Sequence, residues 1–74
     1  MEQILKILQE LKPEIDFVSC TTLIDDALLD SFDIISIVAE LNAAFDIRIP
    51  ASDVTPENFN SARSLHLMVQ NLLD

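Results

Sequence analysis

The chain contains no glycine. A backbone without glycine cannot form the Gly-rich phosphate loop, the dinucleotide-binding fingerprint or the EF-hand calcium loop, even though aspartates cluster at Asp25, Asp26 and Asp30. Half of its 74 residues are hydrophobic, enough for one domain, residues 1–74, with one modest core.

Charge removes further classes. The formal net charge is −9 with four basic residues, a surface that repels nucleic acid and disfavours anionic membranes. No apolar run approaches the roughly 18 residues of a membrane span. If the acidity serves recognition, the partners carry basic patches. Cys20 is the sole cysteine, which rules out an internal disulfide and argues against a metal site. The opening "MEQILKILQELK" has acids where a signal peptide has a basic stretch, and its apolar residues are spaced. These features predict a cytoplasmic monomer.

Apolar spacing divides the chain into helices. Ile4, Leu8 and Leu11, widened by Leu5 and Ile7, predict a helix over about 2–12, ended by Pro13. A long connection follows, with Ile15, Phe17, Leu23, Leu28 and Leu29 expected to pin it to the core and a helical turn near 23–27. Packed loops of this length are more often functional than decorative. The second helix is expected over 31–45, then a short extended piece at "DIRIP". A brief helix over 56–59 is capped by Thr55, with Pro56 at its first position. The last, over 61–73, is capped by Asn60 or Ser61, with Leu65, Met68, Val69 and Leu72 inward. The expected fold is all-α: a small antiparallel four-helix bundle with a long first loop and a short third helix.

The start of the second helix is a capping problem. With Asp30 at the cap, Asp33 falls three residues later, an acidic form of the capping box. Leu29 and Ile34 stand where a hydrophobic staple would meet, and both carboxylates lie at the positive end of the helix dipole. Asp30 therefore takes the cap, and the hydroxyl of Ser31 is left uncommitted in the first turn. The same helix has more apolar surface than a core needs. Ile34, Ile37, Val38, Leu41 and Phe45 form one stripe. Phe32, Ile35, Ala39 and Ala43 form a second, roughly 140° away at about 100° per residue. Either the long loop covers the second stripe, or it stays exposed as a docking face beside Ser31.

"LLDSFDIISIVAELNAAFDIRIP" resembles the central region of acyl and peptidyl carrier proteins, and the likeness extends over nearly the whole chain. "LLDSF" is most similar to D-alanyl carrier proteins and some peptidyl carriers. The fatty-acid type usually has glycine three residues before the serine, where Leu28 stands here. The resemblance implies a carrier-protein bundle that is not itself an enzyme. Ser31 Oγ would be joined through a phosphodiester to 4′-phosphopantetheine from coenzyme A, making a phosphoprotein whose arm holds an acyl or aminoacyl thioester. Asp30 would be read by a phosphopantetheinyl transferase. Phe32, Asp33 and Ile35, with Ala39 and Glu40 further along, would form the partner surface. The implied partners are that transferase, a carboxylic-acid-activating ligase or synthase module, and an acceptor enzyme. The chain departs from the fatty-acid type at Ser36, Asn42 and Ala43, where acids are usual, and at Arg48, which replaces the acid before Ile-Pro.

Rival readings find less support in the residues. His66, expected on the surface of the last helix, has no motif linking it to Ser31 or Cys20 as a catalytic set. Lys6 and Lys12 both lie on the first helix rather than in the hairpin turn that lysine-borne arms need. The remaining alternative is an unmodified helical interaction module that docks through the Phe32, Ile35 and Ala39 face.

Overall fold

The computed structural model describes residues 2–73, so the expected domain limits at residues 1 and 74 fall outside it. Four α-helices and no strand occur among these residues: α1 (Glu2–Leu11), α2 (Ser31–Phe45), α3 (Pro56–Phe59) and α4 (Ala62–Leu73), with a single 3-10 turn at Ala51–Asp53. The protein is an all-helical bundle. None of the described helices is long and apolar enough to cross a membrane.

The helix ends follow local chemistry. Lys12 still donates its N–H to the Leu8 carbonyl at 2.9 Å, yet α1 ends at Leu11 rather than Lys12, because the residue before a proline is pushed out of helical geometry. Ser61 lies outside α4 and caps it instead. Its Oγ accepts from the Ser64 N–H at 3.0 Å, while the Ser61 N–H donates to Ser64 Oγ at 3.2 Å. Thr55 caps α3 and Pro56 opens it. At the far end of α2, Asp46 adopts a left-handed conformation (φ 53°) and its N–H bonds back to the Asn42 carbonyl. The Asn42 side chain then accepts the Ile49 N–H at 3.0 Å, which holds Ile49 in the core and leaves Arg48 outside.

The core is continuous. Ile4 and Leu8 of α1, Ile37 and Leu41 of α2, and Ala62, Leu65, Met68 and Val69 of α4 are buried together with Phe17, Leu23 and Leu29 of the long loop. Burying a side chain such as Phe17 or Leu23 stabilises the fold by about 1.5–3 kcal/mol, so the loop is part of the core rather than a cover for it. α1 and α2 run antiparallel. Lys12, just past the end of α1, pairs with Asp33 near the start of α2, and Glu2 and Gln3 line one groove with Ala43 and Ala44.

Two loop features carry the chain to the start of α2. At residues 23–28 one helical turn closes with Ala27 in the left-handed region (φ 57°). The Leu28 N–H bonds to the Leu23 carbonyl at 2.9 Å and the Ala27 N–H to the Ile24 carbonyl at 3.0 Å. This is the Schellman pattern, normally closed by glycine. The reversal turns Leu29 into the core and Leu28 outward, 41% exposed. The expectation that Leu28 pins the loop is therefore corrected. Asn60 fixes the same turn from across the bundle. Its Oδ1 accepts the N–H groups of Ile24 (2.9 Å) and Asp25 (3.1 Å), and its Nδ2 donates to Asp25 Oδ2 (3.2 Å). Its carbonyl also accepts from the Leu23 N–H at 3.0 Å.

Candidate functional site

The entrance to α2 is built by a reciprocal capping box. Asp30, in extended geometry, accepts the Asp33 N–H on Oδ1 at 2.8 Å, and Asp33 Oδ2 accepts the Asp30 N–H at 3.2 Å. The Asp30 carbonyl takes the Ile34 N–H at 3.0 Å. Between these two aspartates Ser31 is exposed, and its hydroxyl has no hydrogen-bond partner among the described residues. The cap is supplied by its neighbour, and the serine oxygen is open to an incoming group.

A third chain segment reaches this entrance. Lys12 Nζ lies 3.3 Å from Asp33 Oδ2 and 3.5 Å from Glu14 Oε1. The hydrogen bond and charge of Asp33 raise the affinity of the Lys12 amine for its proton. For Asp33, partial burial works to raise the carboxyl's pKa. The Asp30 N–H and the Lys12 ammonium outweigh that effect and hold it below the ordinary carboxylate value. Asp33 is thus ionised at neutral pH and doubly engaged, whereas Asp30 has no cationic partner among the described residues.

Along α2 the expected docking residues separate into two faces. Phe32 (75% exposed) and Ile35 (67% exposed) share a stripe with the exposed Ala39. The loop does not cover it. Asp33 and Glu40 lie roughly 80–100° around the helix from Phe32, toward α1: Asp33 meets Lys12, and Glu40 borders the groove formed with Glu2, Lys6 and Glu10. His66 is half-buried on α4 rather than on the surface.

One turn along from Ser31, Ile34 lines a cavity of about 100 Å³ with Ile24, Val54, Thr55, Pro56 and Phe59. A cavity of roughly 150 Å³ accommodates benzene, so this one takes only a few heavy atoms.

The entrance fits a phosphodiester-linked group on Ser31. Its oxygen is exposed, the adjoining first-turn N–H groups of Ser31 and Phe32 have no acceptor among the described residues, and the helix dipole is positive there. Lys12 and Asn60 were not legible as site residues. Both act through partners far away in sequence, and only the placement of Asn60 before α4, read as a possible cap, hinted at a role.

Residues 2–69 match the family described as "Phosphopantetheine attachment site". The chain is 42% identical over 48 residues to Aminoacyl carrier protein 1 of Bradyrhizobium diazoefficiens, covering 65% of this chain and 53% of that protein. It is 36% identical over 52 residues to the D-alanyl carrier protein of Lactococcus lactis subsp. cremoris, covering 70% and 66%. The chain thus spans between about half and two thirds of the length of these curated relatives. No solved structure matches it significantly. With a family match across nearly its whole length, the chain belongs to the phosphopantetheine-binding carrier proteins, non-catalytic tethers whose prosthetic group is 4′-phosphopantetheine.

Proposed function

We propose that Ser31 bears the 4′-phosphopantetheine arm and that the protein presents a small acyl or aminoacyl group to partner enzymes. The observation that carries this reading is the exposed, uncommitted Ser31 hydroxyl beside a cap already filled by Asp30. In the attachment step, Ser31 Oγ forms a bond to phosphorus of coenzyme A. The bond to the nucleotide half breaks, and the hydroxyl proton passes to a base of the transferase. Once attached, the arm supplies a terminal thiol that holds cargo as a thioester.

The protein's own residues supply recognition. Asp30 offers the transferase a carboxylate with no cationic partner among the described residues. Phe32, Ile35 and Ala39 give partners an apolar strip, and Asp33 and Glu40 add negative charge at its edge. Basic patches on the transferase, on a carboxylic-acid-activating ligase and on an acceptor enzyme complement this surface. Coenzyme A as donor and an acidic surface suit the cytoplasm.

The cargo we propose is an amino acid or a short acyl group. The 100 Å³ cavity beside Ile34 shelters only a few heavy atoms, and relatives are named as aminoacyl and D-alanyl carriers.

Incubation with coenzyme A and a promiscuous phosphopantetheinyl transferase, followed by intact-mass measurement, tests the attachment. Wild type should gain one arm and Ser31→Ala none. A wild-type mass that stays unchanged would instead leave an unmodified module docking through the Phe32 face.

A further inference from the structure

The α2 entrance poses an electrostatic difficulty. Two carboxylates, Asp30 and Asp33, already flank Ser31 and bond to each other's backbone. An arm on Ser31 adds a phosphodiester, with its own negative charge, between them. The helix dipole answers with about half a charge at most. Among the described residues, Lys12 is the one cation paired with this cluster. It stands on the very oxygen, Asp33 Oδ2, that also receives the Asp30 N–H. Both side chains of the pair are mostly covered, 27% and 19% exposed, so salt screens it less than an open surface pair.

We infer that Lys12 is a positioning residue for the modified protein. Anchored on Asp33, it offsets the charge that the arm brings to Ser31 and so keeps the Asp30–Asp33 box closed in the holo form. The inference rests on Ser31 bearing the arm, but it assigns Lys12, which is outside the motif and on another segment, a task that arises only after modification. In the apo protein the ion pair contributes little, as partly exposed pairs generally do.

The test compares thermal unfolding of apo and holo protein for wild type, Lys12→Gln and Lys12→Arg. In Lys12→Gln the holo form should melt about 2–5 °C further below its own apo form than in wild type. Lys12→Arg should restore the wild-type difference, and about 0.5 M salt should shrink the effect. In an Asp33→Asn background, where Lys12 has lost its anchor at the entrance, Lys12→Gln should add nothing to the holo–apo difference. If Lys12→Gln lowers apo and holo melting equally, Lys12 is merely structural and the inference fails while the Ser31 reading stands. If wild type takes no arm, the Ser31 reading fails first and the inference falls with it. Complete modification of wild type and Lys12→Arg with none of Lys12→Gln would place Lys12 in recognition by the transferase and overturn the inference.

Discussion

Replacing Asn60 with alanine should loosen the long loop more than any other polar substitution. The Asn60 side chain makes three hydrogen bonds to a segment 35–36 residues away: two accepted from Ile24 and Asp25 N–H, one donated to Asp25. Water can replace the partners of exposed Asp25, at about 0.5 kcal/mol per bond. The half-buried Ile24 N–H is left unsatisfied at about 1–2 kcal/mol. The total of about 2–3 kcal/mol is a large share of the roughly 4–11 kcal/mol expected for a domain of this size. It corresponds to a Tm lowered by roughly 10–20 °C. Thermal denaturation followed by circular dichroism measures this directly. Asn60→Asp separates the contributions. It keeps the acceptor but sets a second carboxylate against Asp25, so its deficit should be large at pH 7 and shrink as pH falls below about 4. A Tm for Asn60→Ala within 3 °C of wild type, by this reasoning, would refute the clamp.

Three further outcomes follow from named contacts. Ala27→Gly should stabilise the fold by about 0.5–1 kcal/mol in denaturant unfolding, since relief of the left-handed conformation at φ 57° exceeds glycine's entropic cost. Asp33 has its folded pKa depressed. Its stabilisation is therefore present above the ordinary carboxylate value and lost as pH falls through the lower folded one, so Asp33→Asn should show a flatter stability curve below about pH 4. Asp16, held low chiefly by the Ser19 hydroxyl, should keep the remaining slope. Phe32→Ser and Ile35→Ser should change stability by less than about 0.5 kcal/mol. Each should weaken transferase binding more than about fivefold in titration calorimetry.

What was legible in the sequence was local. The Asp30–Asp33 box, the Thr55 cap with Pro56, and the inward residues of α1 and α4 all follow from chemistry within one or two turns. The freedom of Ser31 followed from the same arithmetic. Whether the Phe32 stripe lay under the loop was not legible, because one sequence does not say where eighteen loop residues run. The answer depended on Asn60 and on the Ala27 reversal. That reversal sent Leu28 out and Leu29 in, a distinction invisible to hydrophobicity alone. Lys12 escaped notice for the same reason, since its partner Asp33 lies beyond the whole loop. His66 was expected in solvent and is half-buried. Its neighbours Leu65 and Leu67 take opposite environments, and one residue's position between them is set by packing.

The most direct measurement is fragmentation mass spectrometry of the protein after transferase treatment, locating the arm among its six serines. All of it should lie on Ser31. An arm on Ser19, Ser36, Ser52, Ser61 or Ser64, or no arm at all, would contradict that placement.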